Sequence, residues 1–163
     1  MRKPPEEQAD AFISGAAYGE EEKIAAFLKK YPDAVNVKDA HGCTALWWAV
    51  KNGHQDAAEL LLEKGADIDA GDEIGDTPLM MAAWVGYRRI TEMLLENGAD
   101  LNKKNQNGWT AEVLARSKGN TDMTDMLKDW VEKKRAEFLK NTDFSRGLDH
   151  AIPRPRPFKV SPR

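Results

Sequence analysis

Residues 72–104 read DEIGDTPLMMAAWVGYRRITEMLLENGADLNKK. Within this stretch Gly75, Thr77, Pro78, Leu79, Ala82, Ala83 and Gly86 form G-x-T-P-L-x-x-A-A-x-x-G, and Leu94, Leu95, Gly98, Ala99, Asp100 and Asn102 form L-L-x-x-G-A-D-x-N. The same letters return on both sides at one period. Gly42, Gly75 and Gly108 are 33 residues apart, as are Thr44, Thr77 and Thr110, Ala49, Ala82 and Ala115, and Gly53, Gly86 and Gly119. Leu61-Leu62 becomes Leu94-Leu95, and Gly65-Ala66-Asp67 becomes Gly98-Ala99-Asp100. Upstream, Gly19 and Phe27-Leu28 precede their counterparts Gly53 and Leu61-Leu62 by 34. The extra residue falls near Tyr31-Pro32-Asp33, where a loop absorbs it at little cost.

The period and the agreement of many positions at once resemble the ankyrin repeat, a unit of about 33 residues made of a turn, two helices and a loop. The resemblance covers about residues 9–131. It implies an all-α fold: an ankyrin-repeat solenoid of stacked helix-turn-helix units with loop or β-hairpin tips. An extended C-terminal helix and a Pro/Arg-rich tail follow. The expected organisation is a flexible N-terminus at 1–8 and a repeat domain at 9–140. That domain holds a capping unit at 9–38 and repeats at 39–71, 72–104 and 105–140. A basic proline-rich tail at 141–163 completes the chain.

Local chemistry agrees with that division. Phe12, Ile13 and Ala16 mark the apolar side of a first helix from Ala9 to Tyr18. Ile24, Phe27 and Leu28 do so for its partner, Glu20 to Lys30. The first unit lacks the G-x-T-P-L opening and has a polar outer face, as an end cap must. Thr44, Thr77 and Thr110 stand where a hydroxyl caps a short inner helix. Pro78 occupies the first helical position, where a missing amide hydrogen costs nothing. Gly53, Gly86 and Gly119 let the chain reverse after each inner helix. Leu60-Leu61-Leu62 and Met93-Leu94-Leu95 are expected in the core. In the last unit Glu112 and Lys128 replace core leucines, and Gly-Ala-Asp is missing, as expected if nothing stacks beyond it. The helix from Thr121 is expected to reach about Lys140, with Met123, Met126, Leu127, Trp130, Val131 and Phe138 packing along one stripe.

Net charge is −3, but it is unevenly spread: residues 1–132 carry −9 and residues 133–163 carry +6. The single Cys43 allows no intrachain disulfide, which fits a reducing compartment. MRKPPEEQADAF lacks the apolar run of a signal peptide, and no stretch approaches the ~18 apolar residues of a membrane span. The expectation is a cytoplasmic protein that binds no membrane, and no nucleic acid on its acidic body, where Lys103-Lys104 and Arg88-Arg89 are too sparse for a footprint.

No reactive set suggests catalysis. His41 and Cys43 sit two apart at one loop tip, and an enzyme or metal site built on them is the alternative reading. A metal needs more ligands and a thiol needs an activating base. No phosphate-binding glycine loop is present. Neither a cofactor nor a metal is expected.

In the resembled family partners meet the concave side, at loop tips and the exposed face of the inner helices. Transferred onto this sequence, the partner-binding positions are Tyr18, His41, Lys51, Asn52, Ile74, Asp76, Trp84, Val85, Asn107, Trp109 and Lys118. Trp and Tyr are enriched where partners dock. Trp47, Trp48, Met80 and Met81, one turn earlier, are assigned to the core or the groove floor. The function implied is a protein-interaction module or adaptor for a protein or peptide partner. Two further expectations concern the tail. It could bind an acidic partner, or residues 153–160 could act as an intramolecular ligand for the groove, with Arg154 or Arg156 over a ring and Phe158 in an apolar gap.

Overall fold

The computed structural model describes residues 4–141; of the expected tail at 141–163 it describes Asn141, which ends the last helix, and the rest, 142–163, lies outside the described residues. Eight α-helices follow one another: α1 Glu6–Ala17, α2 Glu21–Lys30, α3 Ala45–Lys51, α4 Gln55–Glu63, α5 Pro78–Val85, α6 Arg88–Glu96, α7 Ala111–Ser117 and α8 Thr121–Asn141. There is no strand among the described residues. The tips are tight turns, with one isolated antiparallel bridge between Lys38 and Thr44.

The odd-numbered helices are the inner row. α1 packs on α3, α3 on α5 and α5 on α7, while α2, α4 and α6 each pack on the inner helix of their own unit. The sequence produces each inner helix in the same way. Thr44, Thr77 and Thr110 are extended at the N-cap, and their hydroxyls accept from the amides of Trp47, Met80 and Val113. Such a cap contributes about 1 kcal/mol. Ala49, Ala82 and Ala115 are fully buried: with only a methyl group at the contact, successive inner helices approach closely.

The first helix starts at Glu6, three residues before the position read from sequence. Pro5 cannot extend a helix backwards, but its carbonyl accepts from Gln8 and Ala9, so the helix begins directly after the Pro-Pro pair. Phe12 stacks on Phe27 at 4.3 Å, joining α1 to α2. Leu61 and Leu94 are fully buried, as are Ile24, Leu46 and Leu79. Removing a side chain as large as these typically costs about 2–5 kcal/mol. Leu60 and Leu62 are only half-buried, so in α4 the core is carried by Ala57, Ala58 and Leu61.

The chain divides into two compact units, one ending at Leu127 and the other beginning at Lys128. Met123, Met126 and Leu127 are buried in the first unit. The apolar stripe expected beyond them does not remain buried: Val131 is 45 % and Phe138 is 68 % exposed. The composition changes there to Lys128, Asp129, Glu132, Lys133, Lys134 and Arg135, a surface that favours water. Within that unit the ammonium groups of Lys133 and Lys134 lie 5.9 and 5.1 Å from the Trp130 ring centre.

Candidate functional site

Each tip is built on one side-chain oxygen. Asp39 Oδ1 accepts from the amides of His41 and Cys43, both at 2.9 Å. Asp72 Oδ1 accepts from Ile74 and Asp76 at 3.1 and 2.9 Å. Asn105 Oδ1 accepts from Asn107 and Trp109 at 3.0 and 2.9 Å. The short polar side chain closes a local turn that a backbone carbonyl would otherwise have to close. Successive tips are then joined by main-chain bonds, Glu73 N–H to His41 O at 3.2 Å and Gln106 N–H to Ile74 O at 2.9 Å. The three tips therefore form a continuous edge beside the inner helices.

Along that edge the eleven residues expected to bind a partner separate clearly. Tyr18, Asn52, Val85 and Lys118 hold one equivalent position at the ends of α1, α3, α5 and α7, all exposed. Tyr18 is 76 %, Val85 39 % and Trp84 37 % exposed. Lys51 and Lys118 lie over indoles: Nζ of Lys51 is 4.8 Å from both the Trp47 and the Trp48 ring, and Nζ of Lys118 is 4.5 Å from Trp84. Asn52 donates to Ala17 O at 2.7 Å, tying α3 to α1. His41, Ile74 and Asn107 are exposed on the tips, and Trp109 beside them is 44 % exposed.

Asp76 is different. It is buried, its carboxylate accepts from Asn105 Nδ2 at 2.7 Å, and its carbonyl accepts from Trp47 Nε1 at 2.8 Å. It joins the tips of neighbouring units. The repeat pattern does not show this burial, because exposure at a tip depends on what the next unit brings, here Asn105. Burial raises the Asp76 carboxyl above its ordinary value, with the Asp72 charge adding to the rise and the Asn105 hydrogen bond opposing it.

Trp47, Met80 and Met81 are buried and Trp48 is half-buried, as the groove-floor assignment expects. Trp47 and Trp48 meet edge-to-face at 5.1 Å, and Trp48 Nε1 donates to Asp39 Oδ2 at 2.8 Å. Two recesses flank Trp48. One, of about 360 Å³, lies between α1 and α3, where Tyr18, Asp10 and Asp39 share its wall with Trp48. The other, of about 310 Å³, is bounded by Lys51, Asp72, Glu73 and Ile74. Asp10, Ser14, Asp39 and the recess wall role of Trp48 are missing from the sequence-derived set. A signal was present: Ser14 precedes Trp48 by the 34-residue offset, Asp10 lies one helical turn before it, and Asp39, Asp72 and Asn105 keep the 33-residue period.

The pairing of His41 with Cys43 does not form a reactive site. Cys43 is buried and its thiol donates to the His41 carbonyl, at 3.7 Å, and not to the imidazole. Burial, with the charges of Asp39, Asp72 and Glu73, pushes the thiol up to about 12 against the opposing charge of Lys51. A nucleophile needs the reverse shift. Among the described residues no three His, Cys, Asp or Glu side chains are grouped to hold a metal ion.

Residues 12–105 match the profile of ankyrin repeats in three copies. The chain belongs to the ankyrin-repeat family. Its fourth unit lies outside the matched span, but α7 has the same threonine cap and packs on α5 as α5 packs on α3. Ankyrin repeats are protein-interaction modules, and the relatives show how widely they are shared. The NAD-capped RNA hydrolase NUDT12 of Macaca fascicularis is 38 % identical over 66 residues, 40 % of this chain and 14 % of that protein. The human NUDT12 is 36 % identical over the same coverage. The ankyrin repeat and KH domain-containing protein mask-1 of Caenorhabditis elegans is 40 % identical over 69 residues, 42 % of this chain and 3 % of its own length. This ankyrin-repeat chain thus spans a small fraction of those relatives, and the hydrolase activity in the first name is not carried over. Among the described residues no helix is long and apolar enough to cross a membrane.

Proposed function

We propose that this ankyrin-repeat protein is a non-catalytic adaptor whose inner-helix face and adjoining tips dock a protein or peptide partner. The observation that carries the reading is the set of large exposed side chains on the first, third and fourth units: Tyr18, Ile74, Trp84, Val85 and Trp109. The fold requires large apolar groups at none of these positions, since Asn52 and Lys118 serve equally well where Tyr18 and Val85 stand. Indoles held by packing lose little freedom on docking and concentrate binding energy. Lys118 over Trp84 fixes one such ring. A protonated lone thiol, Cys43, suits a reducing cytoplasmic setting.

The test is partner capture followed by cross-linking mass spectrometry and affinity measurement. Trp84→Ala and Trp109→Ala are each expected to weaken a partner mapped to this face by tenfold or more, with far-UV circular dichroism unchanged. Full affinity in the double variant would remove the exposed set from the docking surface.

A further inference from the structure

The recess between α1 and α3 differs from the rest of the inner face in its charge. Asp10, Asp39 and the Tyr18 phenol are the titratable groups on its wall, and no lysine or arginine lines it. The nearby cation, Lys51, lies over the Trp47 and Trp48 rings and borders the other recess. Asp10 is exposed on α1, and the ion pairs among the described residues join other carboxylates. Asp39 is held rigidly, with Oδ1 engaged by two amides and Oδ2 by the Trp48 indole. Burial alone would raise its carboxyl, but the Trp48 hydrogen bond, the Cys43 and His41 amides and the His41 charge outweigh it. The group stays ionised below the ordinary carboxylate range.

We propose that this recess seats an arginine side chain from a basic segment of a protein partner. The inference rests on the reading of the inner-helix face as a docking surface and specifies what one part of it takes. A guanidinium is planar, carries several donors, is weakly hydrated for a cation and stacks on aromatic faces. Here it meets two carboxylates together with the Tyr18 and Trp48 rings. An acidic segment would meet two like charges. An apolar side chain would take solvent from the ionised Asp39 without replacing its hydrogen bonds, which is unfavourable. The volume, about 360 Å³, is at the small end of ligand sites and matches one side chain with its flanking backbone better than a cofactor.

The experiment uses the full chain and follows the five indole N–H signals by NMR during titration with blocked pentapeptides Gly-Gly-X-Gly-Gly. X is arginine, lysine, norleucine or glutamate. The Trp48 indole donates to Asp39 Oδ2, so its signal reports a new partner at that carboxylate. Expected are a saturable Trp48 shift with arginine, weaker binding with lysine, and at least tenfold weaker binding with norleucine or glutamate. Asp10→Asn and Tyr18→Ala change exposed residues and are each expected to weaken the arginine peptide at least threefold, with unchanged circular dichroism. Norleucine binding as well as arginine, or an unmoved Trp48 signal, overturns the proposal. So does a Trp48 shift that follows protein concentration without peptide, which assigns the recess to a second copy. A Trp48 shift caused by Arg154→Gln with Arg156→Gln, again without peptide, assigns it to the chain's own basic segment. If Trp48 stays silent while a captured partner still depends on Trp84, only the arginine seat fails. If the partner cross-links solely to α2, α4 and α6, the docking face fails with it.

Discussion

Asp39 offers the sharpest check on how the tips are built. Its carboxylate accepts three hydrogen bonds, two from backbone amides at 2.9 Å and one from Trp48 Nε1 at 2.8 Å. Asp39→Ala removes all three and leaves the amide of buried Cys43 without an acceptor. At about 1–3 kcal/mol for an abandoned buried donor, with smaller losses for the more exposed His41 amide and the indole, the expected cost is about 3 kcal/mol. Asp39→Asn is different, and the protein already contains the comparison. Asn105 stands at the same place one tip further on and makes the same two bonds at 3.0 and 2.9 Å, sending its Nδ2 to Asp76. In Asp39→Asn the amide nitrogen would instead face the Trp48 N–H, donor against donor, so about 1–1.5 kcal/mol is expected. Trp48→Phe in that background relieves the conflict, giving a coupling of about 1 kcal/mol in a double-mutant cycle. The assay is urea unfolding followed by circular dichroism and tryptophan fluorescence. Because the Asp39 pKa is depressed, its contribution is present above the ordinary value of 3.8 and is lost as pH falls through the lower folded value. The gap between wild type and Asp39→Asn should therefore close in acid. An Asp39→Ala cost within about 0.5 kcal/mol of zero, or equal costs for Ala and Asn, would refute the argument.

Three other outcomes are expected. The Cys43 thiol is raised from 9.0 to about 12, so at pH 8 its thiolate fraction falls about a thousandfold; the greater nucleophilicity of a more basic thiolate returns a factor of about 20, leaving alkylation about 50-fold slower than for a free thiol even before steric shielding. Iodoacetamide kinetics on the native chain check this, and the same shift predicts stability that is full below pH 9.0 and falls as pH rises toward about 12. Asp76 has a raised pKa, so its favourable contribution belongs to pH below the unfolded value and is lost as pH rises through the folded one. Asp76→Asn should accordingly gain on wild type from acid to neutral pH in urea titrations. Gly53 and Gly65 both have positive φ, 82° and 85°, but a Cβ at Gly53 would lie 2.9 Å from the Tyr87 ring, whereas at Gly65 nothing lies within 4 Å. Gly65→Ala is expected to cost about 1 kcal/mol from backbone strain, and Gly53→Ala measurably more in the same thermal and urea assays.

The sequence by itself determined the repeat. A period of 33 in glycine, threonine, alanine and leucine is enough, because each class is tied to a local requirement: a left-handed turn, a cap, a close helix contact or a buried face. Those requirements are met within one unit, so α3 and α5 start at Ala45 and Pro78 as the letters indicate. What lies on the surface was decided by contacts between units, which the period does not encode. Asp76 and Trp109 occupy equivalent positions, yet one is buried under Asn105 and the other is 44 % exposed. Trp47 and Trp48 are neighbours of one type, yet one is bonded to the Asp76 carbonyl in the interior and the other stands half-open against Asp39. The recess beside Trp48 exists only because the first unit supplies Asp10, Ser14 and Tyr18 opposite α3. Burial and hydrogen bonding there are properties of two units in contact, and only the tertiary structure brings those side chains together.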